Sequence, residues 1–159
     1  MSAAAKRAKP DFSAAMTRLR EIALTSADNA LTEGTVNPDR HLLDLCADAL
    51  HCLRHAEKAY AARDFAYLKA RNDPNFEAER AKNKALLDDY DDGIKNAKPP
   101  LIRIRKMKAT TAAGIYAKAA VVRASKTGAA DLAMSLAQDL LDCPGLRAAL
   151  WPADTQEAE

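Results

Sequence analysis

The chain has 159 residues, 48% of them apolar, but 36 are Ala, so only 41 carry a large apolar side chain or a Cys. That amount supports one modest core and one domain. Val and Ile together number 8 against 18 Leu and 36 Ala, with only 5 Gly, and this balance favours helix over a sheet sandwich or a doubly wound α/β fold. No apolar run approaches the roughly 18 residues of a membrane span, and the basic start MSAAAKRAKPDF has no apolar signal-peptide core behind it, so no membrane association and a cytoplasmic location are expected. Cys46 and Cys52 point to different faces of one helix and Cys143 leaves the count odd, which argues for reduced thiols rather than a disulfide framework.

The net charge of +2 conceals a strong segregation. Residues 1–27 hold 5 basic and 2 acidic groups, residues 28–92 hold 9 and 14, residues 93–127 hold 9 and none, and residues 128–159 hold 1 and 6. Such asymmetry speaks to partners rather than to fold.

In chain order, residues 1–10 read as a disordered basic tail. Asp11 or Ser13 can cap a first helix that sets Phe12, Met16, Leu19, Ile22 and Ala23 on one face, with Gly34 as its stop. Asn37-Pro38 reads as a cap followed by Pro at the first helical position. The helix it opens repeats Leu42, Cys46, Ala49, Leu53, Ala56, Tyr60, Arg63 and Tyr67 at 4,3 spacing, a coiled-coil-like seam. Asn72-Asp73-Pro74 supplies a turn and a restart, after which Phe76, Arg80, Asn83, Leu87, Tyr90, Ile94 and Ala97 repeat that spacing. Two matched stripes joined by a short turn predict a long antiparallel helical hairpin over about 38–97. Alternating bulk and keeping Arg63 away from Arg80 favours a register that pairs Tyr60 with Leu87, Leu53 with Ile94 and Ala56 with Tyr90, with the arginines reaching out to water.

Pro99-Pro100 is expected to end the hairpin. LIRIRKMK (101–108) alternates apolar and basic groups, and with no strand to pair with it reads as a helix or an extended basic arm. Thr110 or Thr111 caps a short helix to about Ser125 with Ile115, Ala119 and Val122 inward, and Lys126-Thr127-Gly128 makes a turn. A last firm helix over about 129–142 buries Leu132, Ala133, Leu136, Ala137 and Leu140, and Cys143-Pro144-Gly145 stops it. Leu146 to Trp151 adds a helical turn that docks Trp151, and residues 153–159 read as an acidic frayed end. The expected architecture is therefore all-α, with residues 11–152 as one domain: an N-terminal helix, the hairpin, a basic arm and a C-terminal pair of short helices over about 99–152.

The stretches LLDLCADAL (42–50) and TTAAGIYAKAAVVRAS (110–125) resemble parts of small, uncharacterised helical proteins of alphaproteobacteria and their prophages. The resemblance implies a bacterial or phage origin and carries no activity.

Two constellations bear on chemistry. His41, Asp44, Asp48, His51 and His55 follow 3,4 spacing along one side of the long helix, and His51 with His55 has the i, i+4 geometry of a metal chelate. On a helical wheel this stripe falls about 100° to 180° from Leu42, away from the apolar seam, and one helix offers too few ligands for a closed site, so a solvated face is the preferred reading and no metal or cofactor is expected. A metal or enzymatic role for that stripe is the alternative. The chain has no G-x-S-x-G elbow, phosphate-cradling glycine loop or H-E-x-x-H pair, Gly114 and Gly128 stand alone, the cysteines read as core filler, and no catalytic residue is assigned.

The stronger signal is the acid-free stretch from Lys95 to Lys126, with Arg103, Arg105, Lys106 and Lys108 within six residues and Lys118 and Arg123 on the following helix. Cations so grouped suit sequence-independent phosphate contact with DNA or RNA. An acidic protein partner, or internal pairing with Asp88 to Asp92 and the acidic last helix, would use the same charges. A helix-turn-helix over 111–142 fits in length but puts Asp131, Asp139 and Asp142 on its recognition helix, where they would repel phosphate. The expectation is a non-enzymatic helical interaction or assembly protein with a basic nucleic-acid-facing surface, its oligomeric state open.

Overall fold

The computed structural model describes residues 12–33, 36–70, 76–125 and 129–150. They form six helices: α1 (Phe12–Glu33), α2 (Arg40–Ala70), α3 (Phe76–Lys106), α4 (Ala112–Ala124), α5 (Ala130–Leu141) and α6 (Pro144–Leu150). The fold is all-α, with no strand among the described residues, and none of these helices is long and apolar enough to cross a membrane. The basic and acidic tails, the Asp11 cap, the Gly34 stop, the turns at 72–74 and 126–128 and the docking of Trp151 lie outside the described residues, as do the side chains of Tyr67 and Phe76.

The apolar faces meet in one core built from Leu19 of α1, Leu42, Leu45, Cys46, Ala49 and Leu53 of α2, Ala97 and Ile104 of α3, Ile115, Ala119 and Val121 of α4, Leu132 of α5 and Leu150 of α6. The Arg18 guanidinium donates to the Leu150 carbonyl at 3.3 Å, so α1 also caps the end of α6, whose last carbonyls have no intrahelical partner. Cys46, Cys52 and Cys143 are free thiols. Burial pushes the Cys46 thiol up to about 11, with the Lys118 charge pulling weakly the other way.

The long helices run antiparallel, in a register other than the expected one. Tyr60 faces Tyr90, ring centroids 5.6 Å apart, and Ala56 faces Gly93, where an added Cβ would come within 2.9 Å of the Ala56 Cβ and 3.0 Å of its backbone nitrogen. Paired residue numbers therefore sum to 149–150, about one helical turn from the pairing of Ala56 with Tyr90 and Tyr60 with Leu87. Gly93 decides this, because a glycine opposite an alanine lets two backbones approach more closely than any pair of bulky side chains. Away from this contact the hairpin opens: Tyr60 and Leu87 are exposed, Asn83 is half-buried, Arg80 lies in solvent, and the Arg63 guanidinium sits 5.9 Å over the Tyr60 ring.

Pro99-Pro100 does not end the helix; α3 runs through both to Lys106. Two prolines remove the amides that would bond the carbonyls of Lys95 and Asn96, but both residues are exposed and water reaches them. The cost is opposed by burial of Ala97 and Ile104 and half-burial of Leu101 on the inward face, all anchored by the same uninterrupted helix. Residues 101–106 are thus helical, and the expected arm shortens to a connector over 107–111.

The start of α2 is also shifted. Asn37 Oδ1 accepts from the Asp39 amide at 2.9 Å, the Asn37 carbonyl accepts from Arg40, and the first helical bond runs from the Leu43 amide to the Asp39 carbonyl, which makes Asp39 the capping position. The Asp39 carboxylate turns instead to α4. It accepts from the Thr111 amide (2.8 Å) and hydroxyl (2.7 Å) and from the Thr110 amide (2.9 Å) and hydroxyl (2.9 Å), while Thr111 Oγ accepts from the Gly114 amide at 3.1 Å. Thr111 caps α4, as its position predicts. Gly114 does not stand alone: a Cβ there would overlap Asp39 Oδ2 and lie 2.8 Å from its Cγ. A carboxylate at a helix N-terminus also complements the helix dipole.

Candidate nucleic-acid interface

The six cations singled out in the sequence divide into two groups when the helices assemble. Lys118 is the clear correction. It lies on the inner face of α4 between Ile115 and Val121 and is wholly buried, with its ammonium 2.6 Å from Asp139 Oδ2, 2.7 Å from Ser135 Oγ and 2.7 Å from the Met107 carbonyl. All three ammonium hydrogens are committed, so no phosphate can use them. Ser135 in turn donates to the Arg105 carbonyl at 2.9 Å. The network satisfies two carbonyls at the end of α3 and locks α5 to both α3 and α4, which is what the site does structurally.

Arg105 and Lys108 reach the surface but are engaged by α5. The Arg105 guanidinium lies 2.6 Å from Asp131 Oδ2, and the Lys108 ammonium 2.7 Å from Asp142 Oδ2. The hydrogen bond to Asp142 holds the Lys108 ammonium above its usual range, and the hydrogen bonds from Lys108 and Gln138 hold the Asp142 carboxyl below its own. Asp131 and Asp139 of α5 and Asp142 at its C-terminal cap thus neutralise three cations of the stretch expected to bind nucleic acid.

Arg103, Lys106 and Arg123 remain exposed, and no described carboxylate pairs with them. On α3 they are joined by Lys95, also exposed. At 100° per residue Lys95, Lys106 and Arg103 fall within an arc of about 80°, over about 16 Å of helix. Arg105 points away from that arc, toward α5. What this surface offers chemically is a short row of ammonium and guanidinium groups beside a helix end, with no nucleophile among them.

His41, Asp44, Asp48, His51 and His55 all lie on the exposed face of α2. No group of three or more His, Cys, Asp or Glu able to hold a metal occurs among the described residues. Sequence reasoning missed Asp39, Ser135 and Asp139 as organising residues. Asp139 carried a signal, because it falls about 20° from Leu132 on the α5 wheel, at the edge of the apolar face.

No family model matches the chain, and neither the curated proteins nor the solved structures include one that matches it.

Proposed function

We propose that this chain is a non-enzymatic helical interaction protein that contacts the phosphate backbone of DNA or RNA, without reading its sequence, through Lys95, Arg103 and Lys106 on the C-terminal half of α3, with Arg123 at the end of α4 as an outlying contact. The observation that carries this reading is the division of the cations: α5 provides a carboxylate for Arg105, Lys108 and Lys118 and none for the α3 row. Charges that no described carboxylate engages are available to release counterions from a polyanion. The free thiols support a cytoplasmic setting, and the stretches 42–50 and 110–125 support a bacterial or phage origin.

The test is a salt-dependent titration of the protein on unrelated duplex and single-stranded sequences. Replacing Lys95, Arg103 and Lys106 by Gln should weaken binding about equally on all of them and flatten the duplex salt slope by up to about 2.7, at roughly 0.9 per lost contact. Replacing Arg105 by Gln together with Asp131 by Asn removes an internally neutral pair and should leave the slope unchanged. Absence of binding by the parent protein at low salt refutes the reading and assigns the α3 row to an acidic protein.

A further inference from the structure

A second feature has no part in that surface. Between α2, α3, the end of α4 and the start of α5 lies an open cavity of about 720 Å³. Leu53 and Ala56 form one wall, Ile94, Ala97 and Leu101 a second, and Ala124, Ala129 and Leu132 the third, with Tyr60 and Tyr90 closing the distal end. Its origin is compositional: where Ala56, Ala97 and Ala124 on three helices and Ala129 at the start of a fourth line the space, methyl groups cannot fill what Leu would, and the register set by Gly93 holds the long helices in place around it. The size falls within the range of small-molecule sites, which are mostly apolar with a few orienting polar groups.

The charges at the rim are unequal. Arg105 and Asp131 neutralise each other at 2.6 Å, Glu57 is engaged, and Lys98 is exposed with no described carboxylate paired to it. Ile102, 51% exposed, adds an apolar lip.

We propose that this cavity binds a small amphipathic monoanion, a carboxylate carried on an acyl chain, with the chain along the Leu53, Ile94 and Leu132 walls and the carboxylate at Lys98. The apolar walls select the chain. Lys98, the one lining cation among the described residues that no described carboxylate engages, selects one negative charge. Lys98 lies beside Lys95, about 60° away on the α3 wheel and on the far side from Arg103, so the two sites adjoin, but none of Lys95, Arg103 and Lys106 lines the cavity.

Calorimetric titration with hexanoate, octanoate and decanoate, and with decanol as the uncharged control, tests this. Saturable one-to-one binding of decanoate is expected, weakening about fourfold for each methylene removed. Lys98→Gln should weaken decanoate roughly three- to fivefold at low salt, an effect lost at high salt, and leave decanol unchanged, as befits an exposed charge. Ala129→Leu, and independently Ala124→Leu, should abolish binding of both ligands with the helical circular dichroism retained; two filling variants guard against one that misfolds. Absence of saturable binding, or binding that folded filling variants leave intact, overturns the proposal. So does a parent protein that sediments as a dimer and that Ala129→Leu converts to monomer, since the cavity would then be filled by a second copy. Failure of the nucleic-acid titration has no bearing on these outcomes.

Discussion

Lys118→Met is the most direct probe of what holds α5 in place. The substitution keeps the aliphatic stem that packs beside Ile115 and Val121 but removes the ammonium, leaving the Asp139 carboxylate buried without its counter-charge and the Met107 carbonyl without its donor. Breaking a buried pair from one side costs about 3–5 kcal/mol, because the stranded charge has lost its hydration and gained nothing in return. Against a total stability on the order of 5–15 kcal/mol for a single domain, the variant should be severely destabilised, with a melting midpoint lower by roughly 6–20 °C for a chain of this size. Lys118→Met combined with Asp139→Leu replaces the pair by apolar groups of similar volume and should recover to within about 1–2 kcal/mol of the parent, the residue being the two acceptors left on Met107 and Ser135. Urea unfolding of the parent, both single variants and the double variant gives a coupling energy directly. A single Lys118→Met variant within about 1 kcal/mol of the parent, or single effects that simply add in the double variant, would show that the pair does not act as a buried unit and would refute the reasoning.

The glycines give an internally controlled series. Gly to Ala in a helix ordinarily stabilises by up to about 1 kcal/mol, and Gly145→Ala, with nothing within 4 Å of the added Cβ, should be neutral or mildly stabilising. Gly114→Ala, which drives a methyl into a carboxylate held by four donors, and Gly93→Ala, which pushes Ala56 backbone away, should each destabilise by more than about 1 kcal/mol in urea unfolding; three equal effects would contradict the contacts described. Thiol labelling of the folded protein at pH 8 should modify the half-buried Cys52 and Cys143 first and leave Cys46 protected. Since burial raises its pKa from the ordinary thiol value of 9.0 to about 11 in the folded chain, Cys46 contributes nothing adverse below pH 9 and favours unfolding progressively as pH rises from 9 toward 11; Cys46→Ala should remove that component of the alkaline loss. Cys46 labelling as fast as Cys52 would place it elsewhere than in the core.

What the sequence reveals and what it hides follow from the range of the interactions. Helical periodicity and the Thr111 cap depend on neighbours a few residues apart, so α1, α2, α4 and α5 were legible to within a few residues. The passage of α3 through Pro99 and Pro100 was not, because a local rule worth a few kcal/mol is outweighed by Ala97, Leu101 and Ile104 packing on partners distant in sequence. The hairpin register failed for a different reason. Bulk alternation treats every seam position as a side chain to be accommodated, whereas Gly93 acts by having none. The buried pair was more nearly within reach: Lys118 lies between Val121 and Val122 on the α4 wheel, Asp139 lies about 20° from Leu132 at the edge of the α5 apolar face, and opposite charges so placed on neighbouring helices are best satisfied by each other.

The division of cations has a consequence for any polyanion measurement. Arg105–Asp131 and Lys108–Asp142 are solvent-exposed pairs, weakly stabilising at most and weakened by salt over the same range that dissociates a nucleic acid. If those two pairs alone held α5 in place, a salt titration would loosen the helix and the ligand together, and its slope would count released counterions and lost structure at once. Lys118–Asp139 separates the two, because a pair buried to 0% and 5% exposure is hardly screened, and Leu132 adds an apolar anchor that salt does not weaken. The fold is therefore expected to hold through a salt range in which the α3 row releases its phosphates, so the slope measured on the parent protein should count only Lys95, Arg103, Lys106 and their neighbours on the outer surface.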